Sequence, residues 1–145
     1  MVLERTLIIV KPDGVVRGYV GEVLRRFEMK GLKIVALKML KLERSEAERL
    51  YAVHKGKPFY EELIGYITSA PIVVAALEGN EAISVVRKII GPTNPKEAEP
   101  GTIRGDLGLT VTKNVIHASD SKENAAYELS IFFGEKDYVK YEREG

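Results

Sequence analysis

The 145-residue chain has no cysteine, no tryptophan and only two histidines. Without cysteine there are no disulfides, no thiolate metal sites and no cysteine nucleophile. Apolar runs are short: the longest, residues 70–77, falls far below the roughly 20 residues that a membrane-crossing helix needs. The opening residues, Met-Val-Leu-Glu-Arg-Thr, have neither the basic start nor the apolar stretch of a secretion signal, so the expected compartment is the cytoplasm. Excess charge is missing too. Lysine and arginine number 22 against 21 aspartate and glutamate, a net +1 that gives no global attraction to nucleic acid or to anionic membranes. Any polyanion has to be met by a local cluster of basic side chains. The glycine cradles that commonly hold phosphate are absent, both G-x-x-x-x-G-K-S/T and G-x-G-x-x-G after a strand. No histidines or carboxylates stand at metal-ligand spacing, so no metal cage built by the protein is expected.

What is present suffices for one domain over residues 1–145, with 45% apolar and 30% charged residues. Residues 6–10 (Thr-Leu-Ile-Ile-Val) read as a buried strand. It stops at the turn Lys11-Pro12-Asp13-Gly14, where proline presets φ and glycine allows a positive one. Lys11 therefore falls at the carboxyl end of a central strand, a usual place for ligand contacts. Gly18 and Gly31 bracket a helix with Val20, Val23, Leu24 and Phe27 on one face. Residues 32–42 read as a second strand, with Val35, Leu37 and Met39 on one face and Ile34, Ala36, Leu40 and Leu42 on the other. A strand apolar on both faces requires cover on both, from a second helical layer or a partner subunit.

Ser45, with Glu48 three residues on, predicts a capping box for a helix over residues 46–53. A helix over residues 59–69 and an apolar strand over residues 71–77 follow. Next comes a helix over residues 81–90, capped by Asn80, with Arg87 off its core stripe of Ala82, Val85, Val86 and Ile89. Residues 91–105 hold three prolines and three glycines and predict a long functional loop. A short strand with Val115 and Ile116 precedes a helix over residues 122–133, anchored by Leu129, Phe132 and Phe133 and ended by Gly134. A charged surface tail closes the chain. The order fits a β-α-β-β-α-β core with inserted helices.

His117 lies where the last strand gives way to the last helix, so the scaffold can hold it and still let it face a cleft. Imidazole ordinarily titrates near pH 6.5 and offers a nucleophilic nitrogen near neutrality; a hydrogen-bonded structural histidine is the competing reading. Glu128, on the last helix, either fixes the tautomer of His117 or is an exposed helix glutamate. Lys11, Arg87, Thr93 and Arg104 either gather phosphate or are solvated surface groups; arginine suits phosphate through its bidentate fork. A nucleoside triphosphate carries roughly −4, which two arginines, a lysine and one Mg²⁺ would about neutralise. Phe59 either stacks a base or packs as a hydrophobic staple. His54 reads as a surface loop residue.

Taken together, these segments resemble one family. Asn-Val-Ile-His-Ala-Ser-Asp-Ser (residues 114–121) is closely similar to the active-site signature of the nucleoside diphosphate kinases. Glu-Arg-Thr-Leu-Ile-Ile-Val-Lys-Pro-Asp-Gly (residues 4–14) resembles the start of that family, and Pro58-Phe59-Tyr60 its base-stacking segment. Gly91-Pro92-Thr93-Asn94-Pro95 and Pro100-Gly101-Thr102-Ile103-Arg104-Gly105-Asp106 resemble its characteristic loop. The resemblance covers nearly the whole chain. It implies a ferredoxin-like α+β fold, a βαββαβ sandwich with a four-stranded antiparallel sheet and added helices. It also implies ping-pong transfer of a γ-phosphoryl group from a nucleoside triphosphate to a nucleoside diphosphate through a phosphohistidine at His117.

By the same resemblance Glu128 orients His117 with support from Ser119, and Tyr51 lies beside them. Lys11 contacts the transferring phosphate and the sugar 3′-hydroxyl, while Arg87, Thr93 and Arg104 hold the outer phosphates. Asn114 bonds the ribose, and Phe59 stacks the base opposite Val111. Mg²⁺ is carried by the phosphates. The implied partners are nucleoside di- and triphosphates and copies of the same chain, a hexamer being favoured and a tetramer possible. The chain ends at Gly145, short of the C-terminal extension of many eukaryotic members. Ala118 stands where many members carry glycine, and Lys113 where arginine is frequent. Two rivals stay open. A non-catalytic ferredoxin-like nucleotide- or RNA-binding module would show paired aromatics on its central strands, which the first and third strands lack. A non-catalytic relative would lack His117 or the phosphate-binding residues.

Overall fold

Residues 3–144 are described in the computed structural model; the readings that fall on Met1, Val2 and Gly145 lie outside them. The elements run β1 (Leu3–Val10), α1 (Pro12–Val16), α2 (Val20–Met29), β2 (Lys33–Leu40), α3 (Arg44–Leu50), α4 (Tyr60–Ile67), β3 (Ile72–Asn80), α5 (Ala82–Ile90), α6 (Ile103–Leu107), β4 (Ile116–Ala118) and α7 (Lys122–Phe132). The strands form one sheet in the order β2-β3-β1-β4, every neighbouring pair antiparallel. This is the expected ferredoxin-like arrangement, in which β1 and β3 occupy the middle.

Two cores grow from this sheet because its central strands are apolar without a break over residues 7–10 and 72–77. Leu7 and Ile9 of β1, with Ile72, Val74 and Ala76 of β3, pack beneath α3, α4 and α7. Ile8 and Val10, with Val73, Ala75 and Leu77, pack beneath α2 and α5. The split follows from the two-residue period of a strand. The inserted helices α3 and α4 and the final helix α7 thus supply the second layer that a sheet apolar on both faces demands.

Several local expectations are corrected. Lys11-Pro12-Asp13-Gly14 is not an open turn: Pro12 starts the short helix α1, where a missing N–H costs nothing. Gly14 has no positive φ. It is needed because a Cβ there would stand 2.8 Å from Val10 Cγ1 and 3.0 Å from the Val115 carbonyl. In β2 the pairing with β3 shifts between Ile34 and Ala36, a bulge that breaks the predicted alternation. Val35 and Ala36 both join the core under α3, α4 and α7, while Leu37 and Met39 are left 51% and 61% exposed on the sheet's edge strand.

The capping box sits two residues earlier than Ser45 and Glu48 suggested, because Glu46 reaches back to accept the Glu43 N–H at 3.1 Å; Ser45 lies inside α3. Asn80 ends β3 opposite Leu3 rather than capping α5, which starts after Glu81 at φ 52°. Residues 91–105 are less irregular than their composition suggests, since they hold the 3-10 turn Pro95–Glu97 and the start of α6. Gly134 does not end α7 in a left-handed cap. Phe133 turns extended at φ −129°, which carries its ring into the core against Tyr138. The tail runs over β2, where the Val139 N–H donates to the Val35 carbonyl at 2.9 Å and Arg143 Nη1 to the Leu32 carbonyl at 2.9 Å. Among the described residues no helix is long and apolar enough to cross a membrane.

Candidate active site

A cavity of about 620 Å³ opens where the carboxyl end of β1, the start of β4, α7 and the 91–105 segment converge. All eight predicted site residues line it: Lys11, Phe59, Arg87, Thr93, Arg104, Asn114, His117 and Glu128. Antiparallel pairing sets Ile9 of β1 opposite His117 of β4, which brings Lys11 and the histidine to the same end of the sheet. His117 sits within β4 rather than at its end.

At the centre, His117 Nε2 lies 2.9 Å from Glu128 Oε1. The same carboxylate oxygen accepts the Ser119 hydroxyl at 2.7 Å, so Glu128 is buried and held in one orientation. Tyr51 is buried beside this pair; burial, with the nearby Glu128 charge, pushes its phenol up to about 12. With Nε2 engaged by the carboxylate, Nδ1 is the ring nitrogen left for another partner.

The cations around this pair are unusually dry. Lys11 is only 7% exposed, and Nζ donates to the Thr112 carbonyl at 2.9 Å and to Asn114 Oδ1 at 2.8 Å. Burial drives its pKa down to about 8, with Asp13 opposing and Arg104 assisting. Arg104 is 5% exposed and corrects the expectation of a loop arginine outside the core. It lies in α6 and donates through Nη1 to Gly91 O at 3.0 Å and through Nη2 to Ile116 O at 2.6 Å, while Nε is buried without a partner. Burial and the neighbouring Arg87 lower its pKa to about 10. Among the described residues neither Lys11 nor Arg104 makes an ion pair. A buried cation without a counterion is costly unless a ligand supplies the negative charge. Arg87 stays exposed on α5 and reaches Ala118 O at 3.3 Å. The Thr93 carbonyl accepts from Asn114 Nδ2 at 2.9 Å, tying the 91–105 segment to the site.

Phe59 lies at the mouth, 43% exposed, with Val111 also in the lining. His54 does not behave as a plain surface residue. It lines the cavity, meets the Phe59 ring edge-on with centroids 5.4 Å apart, and keeps a buried Nδ1 without a partner. Burial, Lys57 and His117 together lower its pKa. Its neighbours Lys55, Gly56 and Lys57 pointed away from this role; only the aromatic at Phe59 could have signalled it. The sequence reading also passed over Asp13 and Tyr66, whose side chains meet behind Lys11.

A histidine–glutamate pair and desolvated cations share one cleft on a ferredoxin-like α+β sheet, a setting whose charge suits a polyanion. Comparison with known proteins agrees. The nucleoside diphosphate kinase family model matches residues 4–138. A nucleoside diphosphate kinase of Thermomicrobium roseum is 61% identical over 141 residues, covering 97% of this chain and 95% of that protein. The Halobacterium salinarum enzyme solved in complex with CDP superposes with a TM-score of 0.94 at 40% identity, covering 97% of this chain and 94% of that one. The Borrelia burgdorferi enzyme, a transition-state mimic with bound vanadate and ADP, gives 0.92 at 41% identity, with 98% and 94% covered. The chain belongs to the nucleoside diphosphate kinase family and is thus a nucleotide-binding phosphotransferase.

Proposed function

We propose that the whole chain forms one kinase domain that moves γ-phosphoryl groups between nucleotides by a ping-pong route through His117. The observation that supports this best is the buried, unneutralised pair Lys11 and Arg104, opening onto the same cavity as the His117–Glu128 contact. With Nε2–H donated to Glu128, the Nδ1 lone pair attacks the γ-phosphorus. An N–P bond forms as the bond to the bridging oxygen breaks, and the electron pair leaves with the nucleoside diphosphate. Glu128 stabilises the positive charge that the ring acquires, and Ser119 keeps the carboxylate in place. The second half runs the same steps backwards from a different diphosphate, so one cleft serves both substrates.

Arg104, Arg87 and Thr93 hold the outer phosphates in this reading. Lys11 meets the transferring group and the sugar 3′-hydroxyl, and Asn114 meets the ribose. Phe59 stacks the base opposite Val111. The complexes with CDP and with ADP and vanadate in structural relatives support nucleotides as ligands. Among the described residues no group of three or more His, Asp or Glu could hold a metal ion. The carboxylates in the lining, Glu62, Asp120 and Glu128, do not gather into a cage, so Mg²⁺ would be carried by the nucleotide phosphates. When bound it shares the phosphate charge with Lys11 and the arginines. A cytoplasmic homo-oligomer, a hexamer before a tetramer, completes the reading; the exposed Leu37 and Met39 on the edge strand favour self-association. The test is two-substrate kinetics with ATP and GDP. Parallel double-reciprocal lines are expected, and intersecting lines would exclude the ping-pong route.

A further inference from the structure

The link between Asn114 and His117 carries an unusual backbone. Val115 is a buried, β-branched residue at φ 76°, and the Ile116 N–H donates to the Asn114 carbonyl at 2.9 Å. Those two features define a γ-turn of the strained, positive-φ kind. Its consequence is geometric. On an extended chain, side chains three residues apart point to opposite faces. Asn114 and His117 nevertheless line the same cavity. The reversal at Val115 is what lets one short segment present both side chains to one ligand.

Something must hold the strain. The Val115 N–H donates to Asp13 Oδ2 at 3.0 Å, and the Val115 carbonyl accepts the Lys11 N–H at 2.8 Å. The other carboxylate oxygen of Asp13 accepts the Tyr66 hydroxyl, which in turn accepts the Asp13 N–H at 2.9 Å. Asp13 is buried, and its bond to the Val115 N–H is shielded from bulk water, while the two bonds to Tyr66 are part-buried. Burial and the bond to Asp13 raise the Tyr66 phenol above its ordinary value, which favours its protonated, donating form. Gly14 completes the seat, since any side chain there would strike the Val115 carbonyl.

We propose that Tyr66 and Asp13 are positioning residues: they clamp Val115 in its left-handed γ-turn and so aim Asn114 and His117 into one site. The catalytic consequence rests on the reading of His117 as the nucleophile; the clamp itself does not.

The decisive variant is Tyr66→Phe, which removes one hydroxyl and leaves Asp13 and the charge near Lys11 intact. Misaligning a reacting group by a fraction of an ångström to one ångström costs about tenfold to a hundredfold, so kcat/KM should fall at least about tenfold, with kcat falling as well as KM rising. The same hydroxyl is then removed in a Val115→Gly background, because glycine takes positive φ without a clamp. There the loss should shrink to within about threefold. A merely structural hydroxyl would cost the same factor in both backgrounds, and that result overturns the proposal. So does a Tyr66→Phe enzyme within twofold of wild type. Should Val115→Gly fail to fold, amide exchange decides. In ¹⁵N-valine protein, Tyr66→Phe should accelerate exchange at Val115 at least about tenfold relative to Val74 in the sheet, and unchanged exchange overturns the clamp. Phosphate loading of wild-type His117 from ATP, measured alongside, separates the two ideas. Absent loading with clamp-dependent Val115 exchange defeats only the nucleophile reading; normal loading with a silent Tyr66→Phe defeats only the clamp.

Discussion

Replacing Lys11 with methionine separates the binding role of the ammonium from the stability it costs. In the unfolded chain this amine takes up its proton near 10.5, but in the folded protein only near 8, because burial opposes the charge. Between those values the unfolded state binds more protons than the folded one, so stability rises as pH rises through that window. Integrated from pH 7 to pH 10, the gain is roughly 2–3 kcal/mol. Methionine has no proton to lose and forfeits that gain. It also deprives the Thr112 carbonyl and Asn114 Oδ1 of their donor, a loss of about 1–3 kcal/mol that does not vary with pH. The unfolding free energy of wild type minus that of Lys11→Met should therefore grow by roughly 2–3 kcal/mol in favour of wild type between pH 7 and pH 10. Urea unfolding of both proteins at four pH values measures this, since titrating groups that do not interact with Lys11 cancel in the difference. A flat difference, or one that shrinks with pH, would refute the claim that the site stores a desolvated cation.

Other outcomes follow from the same geometry. Arg87→Ala and Arg104→Ala should each lower kcat/KM by about 2–4 kcal/mol. Only Arg104→Ala should also lower Tm, because it leaves the Gly91 and Ile116 carbonyls unpaired while Arg87 is exposed; equal melting temperatures would contradict the buried placement. Phe59 offers a flat ring at the cavity mouth, so purine and pyrimidine diphosphates, ribo and deoxy, should turn over within about two orders of magnitude in kcat/KM. A preference beyond about a thousandfold would show that the base edge is read by another group.

Much of this site was legible because its chemistry sits in residue types that have few alternatives. With two histidines and no cysteine, residue types left few candidate nucleophiles, and the resemblance of residues 114–121 to the family signature singled out His117, with Glu128 on the helix that follows. The continuous apolar runs of β1 and β3 announced buried strands, and the second strand, apolar on both faces, announced cover on both sides of the sheet. What escaped the sequence depends on long-range contact. Arg104 looked like a loop arginine because its burial arises from Gly91 and Ile116, distant along the chain. Asp13 looked like a turn former because its partners, Tyr66 and Val115, lie 53 and 102 positions away. His54 drew no attention among lysines, since only the fold brings it under Phe59 and towards His117. The bulge at Val35 was hidden by a run in which every residue is plausible on either face; register there is set by pairing to β3 and by the tail, not by local pattern.

The central claim is that His117 carries the phosphoryl group. Incubation of the protein with Mg²⁺ and γ-labelled ATP, without any acceptor, should load about one phosphate per chain, labile to acid, stable to base and discharged by GDP, as expected of a phosphoramidate. His117→Gln should take up no label, His54→Gln should load in full, and Glu128→Ala should load slowly. A label that survives acid, or one that persists in His117→Gln, would contradict the mechanism even if the protein interconverts nucleotides.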